Sequence, residues 1–113
     1  MAHPAHILFR SATCNATEDY LGSDELYAVA GGMTFHLGSF TAGQSRSYDA
    51  EKTLPVGTTT LEVYERDLPP FDDDDLLGRA DLTIDMDQDR TVSFQGDDAD
   101  YRLTFKVISE PNI

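Results

Sequence analysis

Apolar and polar residues alternate along several short segments of the chain, and a period of two is typical of half-buried β-strands. The clearest segment is Thr58 to Glu65, which is rich in β-branched residues. No stretch of ten residues shows the 3.6-residue period of an amphipathic helix. The alternation predicts about eight short strands, at His6–Asn15, Leu26–Val29, Met33–Leu37, Arg46–Tyr48, Thr58–Glu65, Arg79–Ile84, Thr91–Phe94 and Tyr101–Ile108.

This series of strands predicts an all-β fold. We expect an antiparallel β-sandwich of two sheets, with the connections gathered at its two ends. At 113 residues the chain is long enough for one core, so we expect a single domain spanning residues 1–113. Gly31-Gly32 predicts a tight hairpin turn between the second and third strands. Segments of small and polar residues predict further connections at 38–45, 54–57, 85–89 and 96–100.

Strict alternation divides the side chains of the first strand between two faces. One face carries Ile7, Phe9 and Ser11, and the other carries Leu8, Arg10 and Ala12. Cys14 is the only cysteine, so the chain cannot form an internal disulfide. Its place in this apolar strand predicts a buried thiol that packs as a small hydrophobic residue.

The net charge of the chain is -13, from 21 acidic and eight basic residues. Nucleic acids and bare anionic membranes attract clustered Lys and Arg, which this chain lacks, so neither is an expected partner. The N-terminus has no charged segment followed by an apolar run, and no apolar stretch is long enough to cross a bilayer. We therefore expect a soluble protein without a signal peptide, whose location the sequence leaves open.

The acidic residues are concentrated in two connections. Four of the 21 lie between Thr17 and Glu25, and six lie between Glu65 and Asp75. Crowded carboxylates repel one another unless they are spread into solvent or neutralised by a cation. Ca²⁺ prefers six to eight oxygen ligands at about 2.3–2.6 Å, whereas Mg²⁺ keeps its waters and uses fewer carboxylates. If the sandwich brings both connections to one end, they form a calcium site.

A metal-independent interpretation of the two acidic connections stays open, because runs of charged residues are often solvated surfaces. The chain would then be an acidic interaction or structural domain. We do not expect an enzyme, since the sequence contains no Gly-x-Ser-x-Gly, no phosphate-binding loop and no nucleophile–histidine set with supporting context.

The first acidic connection resembles a known family motif. Gly22-Ser23-Asp24, followed by Tyr27 and a strand, resembles the Gly-x-Ser-Asp-Pro-Tyr signature of the C2 domain, a calcium- and lipid-binding β-sandwich. Here Glu25-Leu26 stands where that signature has proline. The resemblance implies a C2-like Greek-key sandwich, and its motifs lie in the two acidic connections.

The second acidic connection resembles the third calcium loop of the same family. Glu65-x-Asp67 is similar to the family's Asp-x-Asp, and Asp74 precedes Gly78 by four residues, as in its closing Asp-x-x-x-Gly. By this likeness the ligands in the first connection are Glu18 or Asp19 together with Asp24. The ligands in the second are Glu65, Asp67 and one or two of Asp73, Asp74 and Asp75.

The resemblance implies calcium as the cofactor and leaves the partner open. A protein partner and a calcium-dependent contact with membrane lipid both remain alternatives. Two bound Ca²⁺ would still leave a net charge near -9, from the formal -13 of the chain, which disfavours an anionic lipid surface.

Overall fold

The structure is a computed structural model of the chain. It describes residues 5–16, 24–55, 57–58, 60–66, 75–82, 88–96 and 99–109. These residues form eight β-strands: β1 (Ala5–Ala16), β2 (Asp24–Ala30), β3 (Met33–Phe40), β4 (Ser45–Leu54), β5 (Thr60–Glu65), β6 (Asp75–Asp81), β7 (Arg90–Gly96) and β8 (Ala99–Ser109). None of the described residues forms a helix capable of crossing a bilayer.

The strands form two antiparallel four-stranded sheets. The first sheet has the order β4-β1-β8-β7, and the second has the order β3-β2-β5-β6. Their apolar faces enclose one core, whose largest fully buried side chains include Tyr101, Phe40, Phe94 and Phe105. The predicted all-β sandwich of about eight strands is therefore confirmed.

Aromatic contacts join the two sheets across the core. The rings of Phe9 on β1 and Phe35 on β3 stack with centroids 4.3 Å apart, and Phe40 on β3 contacts Tyr101 on β8 edge to face at 5.7 Å. Such pairs add about 0.5–1.5 kcal/mol each to the stabilisation that burial of their area gives.

The predicted faces of the first strand are wrong beyond Phe9. The register of β1 shifts between Phe9 and Ser11 against both of its neighbours, β4 and β8. A β-bulge adds one residue and reverses the alternation after it. Ala12 and Cys14 are therefore buried together with Ile7 and Phe9, whereas Ser11 is only half-buried. The predicted burial of Cys14 is confirmed, at 0% exposure.

The fourth strand is much longer than the predicted Arg46–Tyr48. It spans ten residues and pairs along its length with β1. It is an edge strand, and most of its side chains are exposed, so apolar periodicity marks it weakly. Tyr48 fastens it to the other sheet, because its hydroxyl donates a 2.5 Å hydrogen bond to the carbonyl oxygen of Leu37 on β3. Burial raises the pKa of Tyr48 to about 12.

Several other bounds differ from prediction. β3 continues to Phe40, so the predicted connection 38–45 shortens to 41–44. β6 begins at Asp75, inside the predicted acidic connection, and β7 and β8 extend the last hairpin to Gly96 and Ala99. The predicted Gly31-Gly32 turn is confirmed, with φ of 58° and 79° at the two glycines.

Candidate functional site

Four pairs of strand ends meet at one end of the sandwich, which we call the acidic end. It comprises the last residues of β1, β3, β5 and β7 and the first residues of β2, β4, β6 and β8, since every pairing is antiparallel. The β3–β4 connection ties the two sheets together here. The amide of Gly43 donates to the carbonyl oxygen of Cys14, and the amide of Cys14 donates to that of Gln44, both at 2.8 Å.

The strand ends that flank the two acidic connections are neighbours in the second sheet. Leu26 of β2 pairs with Glu65 of β5, and Glu65 pairs in turn with Asp75 of β6. The amide of Arg66 donates to the carbonyl oxygen of Glu25 at 2.8 Å, which extends the β2–β5 ladder beyond the end of β5. The end of β5 and the starts of β2 and β6 therefore lie next to one another.

Glu65 is a buried carboxylate at this end. Its side chain is 3% exposed, and it is the one charged side chain among the described residues that is buried. It follows Leu61 and Val63 on the core-facing side of β5, whose exposures are 0% and 1%. An ionised carboxylate taken out of water is costly unless other groups or a cation compensate its charge. Glu65 thus places a carboxyl group at the edge of the core.

Asp75 adds a second carboxylate beside Glu65. Residues opposite each other in an antiparallel ladder project to the same face, with Cβ atoms about 4.5–5.5 Å apart, and like charges at such positions are destabilising. Asp75 is the first residue of β6, is half-buried, and precedes the buried Leu77 on the same face. A bound cation would convert this repulsion into attraction.

Neither the family models nor the curated proteins give a match to the sequence. Solved structures do match. The C2A domain of plant extended synaptotagmin 1 superposes with a TM-score of 0.57 at 9% identity, covering 98% of each chain. A structure described as a C2 domain gives a TM-score of 0.54 at 14% identity, covering 94% of this chain and 98% of that one. The chain has the C2-domain fold.

The human group IVD cytosolic phospholipase A2, in complex with an inhibitor and terbium chloride, also matches the C2-like domain. It gives a TM-score of 0.54 at 12% identity over 99% of this chain. The C2-like domain spans only 18% of that phospholipase chain. The resemblance inferred from the two acidic connections is thus confirmed at the level of the fold.

The C2-like domain holds three of the predicted ligand positions within its described residues. Glu65 and Asp75 are described in full, and the backbone of Asp24 begins β2 opposite Phe40, two residues before the partner of Glu65. The other five predicted ligands lie outside the described residues: Glu18, Asp19, Asp67, Asp73 and Asp74. Among the residues that are described, no three His, Cys, Asp or Glu side chains form a metal-sized cluster.

Burial distinguishes Glu65 from the other acids whose side chains the structure describes, and the sequence carried a signal for it. Glu65 occupies the next inward position of a strand that alternates Leu61, Val63, Glu65, so the same period that predicts the strand also places this carboxylate on the apolar face. The clustering of acids alone does not distinguish Glu65 from the acids that follow it in the sequence.

Proposed function

We propose that the C2-like domain is a non-catalytic module that binds Ca²⁺ at the acidic end. The observation that carries this proposal is the pairing of the buried Glu65 with Asp75, beside the backbone entry into β2. These groups supply oxygen ligands from the two segments that hold ten acidic residues in the sequence. Oxygen-only donors fit the coordination that Ca²⁺ prefers.

The proposed ligands come from both connections. Asp24, Glu65 and Asp75 lie at the adjoining strand ends. The coordination of one or two ions would be completed by a subset of the other acids, Glu18, Asp19, Asp67, Asp73 and Asp74. The ion would tie the β1–β2 and β5–β6 connections together. We propose that residues 1–113 form one domain.

Calcium binding would stabilise the fold and prepare an interaction surface. An ion that binds only the folded state adds RT ln(1 + [L]/Kd) to the free energy of unfolding, about 2.7 kcal/mol at a hundredfold excess over Kd. By lowering the negative potential of a chain with net charge -13, the ion would let the acidic end approach a protein or a membrane surface. We propose such a calcium-dependent partner.

Thermal unfolding of the metal-stripped protein tests this function. Ca²⁺ at millimolar concentration should raise Tm by several degrees, while Mg²⁺ should have a much smaller effect. The variant Asp75→Asn should lose most of the rise. Asp81→Asn is the matched control, because Asp81 is an exposed carboxylate at the other end of the same strand, opposite Thr60. Equal shifts in all three proteins would contradict the proposal.

A metal-independent interaction domain is the second candidate, and an aromatic surface favours it. On the outer face of the second sheet, Tyr27 and Tyr64 stack with ring centroids 5.2 Å apart, and His36 lies 6.5 Å from Tyr27. A shallow depression of about 240 Å³ beside them is lined by Tyr27, Thr34, His36 and Arg66. Half-buried tyrosines of this kind are common in protein interfaces. This candidate predicts partner binding that is unchanged when calcium is removed.

A further inference from the structure

A cavity of about 330 Å³ lies between the two sheets, at the end of the sandwich opposite the acidic end. Its walls come from β1 and β4 of the first sheet and from β2, β3 and β5 of the second. Ala30 and Met33 flank the Gly31-Gly32 turn at this end, and Leu54 is the last residue of β4. The cavity therefore enters the core between the two edge strands β3 and β4.

The cavity is apolar apart from its mouth. Of the ten described residues that line it, eight have apolar side chains, and the other two are Thr34 and Lys52. The deepest walls are Ile7, Phe9 and Leu61, with exposures of 1%, 2% and 0%. An apolar cavity of at least 300 Å³ with one convergent polar group has the form of a small-molecule site.

Lys52 holds the one cationic group among the described residues of this lining. It lies on β4 between Ala50 and Leu54, on the side of the strand that faces β3, and its Nζ is 5.6 Å from the centroid of the Phe35 ring. Phe35 in turn stacks on Phe9, so the ammonium group sits at the outer edge of the apolar wall. Within the described part of the chain, no carboxylate forms an ion pair with Lys52.

The nearest acids on the same strand are directed away from the cavity. Asp49 and Glu51 occupy the alternate, exposed positions of β4, and the carboxylate of Glu51 lies 3.9 Å from Nδ1 of His6. Of the three charged side chains at positions 49, 51 and 52 of β4, only that of Lys52 faces the cavity mouth.

An inward-facing lysine on an edge strand also has a simpler explanation, because such charges discourage edge-to-edge aggregation. That role needs the charge on the strand edge. It does not require an open apolar cavity behind the charge.

We propose that the cavity binds a medium-chain fatty acid as its anion. The hydrocarbon tail would lie between the sheets, and the carboxylate would pair with Lys52 at the mouth. At roughly 30 Å³ for each carbon, similar to the share of one water in the liquid, the volume accommodates a chain of about ten carbons. This site is distant from the proposed calcium site and does not depend on it.

Titration calorimetry with decanoate, below its micelle concentration and in calcium-free buffer, tests the proposal. Saturable binding is expected for the unmodified protein. Lys52→Met should weaken decanoate about fivefold, the ratio that an ion pair of about 1 kcal/mol gives. Decanol, which lacks the charge, should bind both proteins equally. Lys106→Met is the matched control, because Lys106 is the only other lysine and projects from the outer face of β8.

A cavity-filling variant tests the location. Ala30→Ile places extra carbon atoms in the cavity and should abolish decanoate binding without lowering Tm. The proposal is overturned if decanoate shows no saturable binding, or if Ala30→Ile binds it as well as the unmodified protein does. It is also overturned if Lys106→Met weakens binding as much as Lys52→Met, or if Lys52→Met weakens decanol and decanoate alike.

Discussion

The turn between β2 and β3 allows backbone strain to be separated from steric clash with two alanine substitutions. Gly31 and Gly32 both have positive φ, 58° and 79°. A Cβ added at Gly31 would lie 2.4 Å from Oγ1 of Thr58 and 2.8 Å from Cδ of Pro55, whereas one added at Gly32 would have nothing within 4 Å. Gly31→Ala therefore carries strain and clash together, and Gly32→Ala carries strain alone.

The expected losses follow from these two terms. A left-handed conformation costs an alanine about 1–2 kcal/mol, which is the expected loss for Gly32→Ala. Forcing extra atoms into packed surroundings adds about 1–3 kcal/mol, so Gly31→Ala should lose about 2–5 kcal/mol. The entropy that alanine removes from the unfolded chain is the same for both variants and cancels in their difference. The neighbouring turn cannot easily yield, because the hydroxyl of Thr58 donates to the carbonyl oxygen of Pro55 at 2.7 Å.

Urea unfolding followed by far-ultraviolet circular dichroism measures both free energies of unfolding. Two more proteins complete a double-mutant cycle, Thr58→Ala alone and Gly31→Ala together with Thr58→Ala. The double variant lacks the closest contact and should lose less stability than the sum of the two single changes. A steric clash at Gly31 is contradicted if Gly31→Ala loses no more stability than Gly32→Ala. It is also contradicted if the loss in the double variant equals the sum of the losses in the two single variants.

Three further predictions concern the core and its edges. Tyr48→Phe leaves the carbonyl oxygen of Leu37 without its 2.5 Å hydrogen bond and should cost about 1 kcal/mol in chemical unfolding. The pKa of Tyr48 is raised to about 12 from 10.0, so its contribution to stability is complete below pH 10 and is lost as the pH rises towards 12. Unfolding measured over this pH range should therefore show a smaller alkaline loss of stability in the Tyr48→Phe protein than in the unmodified protein. Arg46→Ala removes two hydrogen bonds to the carbonyl oxygen of Ser39, at 3.1 and 2.8 Å, and a cation–π contact with Phe40. We expect the free energy of unfolding in urea to fall by about 1 kcal/mol, and a loss near zero would contradict this role of Arg46. Cys14 is 0% exposed, so a thiol reagent should label it only through transient opening of the structure, and rapid labelling of the native protein would contradict its burial.

The period-two pattern predicts this fold well where one face of a strand is buried and the other is not. It fails at β4, because on that edge strand the inward residues Tyr48 and Ala50 are only half-buried and Lys52 is exposed and charged. It also fails beyond Phe9, because a bulge is a property of the paired strands and not of either sequence alone. Local pattern thus predicts strands, and the long-range pairing decides their ends and faces.

Sequence pattern also predicts only part of the candidate site. The clustering of acids and the C2-like motifs predict which two connections carry the ligands. The juxtaposition of Glu65 with Asp75 and with the start of β2 depends on the strand order β2-β5-β6, which no local pattern contains. The cavity beside Lys52 was not predicted at all, because a void between sheets arises from how side chains of five strands fit together.

Calorimetric titration of Ca²⁺ into the metal-stripped protein measures whether Glu65 and its neighbours bind calcium. The unmodified protein should bind Ca²⁺ saturably. Glu65→Gln, which keeps the shape of this 3% exposed side chain while removing its charge, should bind at least about tenfold more weakly, since a charge–metal contact of more than 1.4 kcal/mol is lost. Glu51→Gln, a change at an exposed carboxylate of β4, should bind as the unmodified protein does. Absence of saturable binding, or equal affinity in the Glu65→Gln protein, would contradict the account.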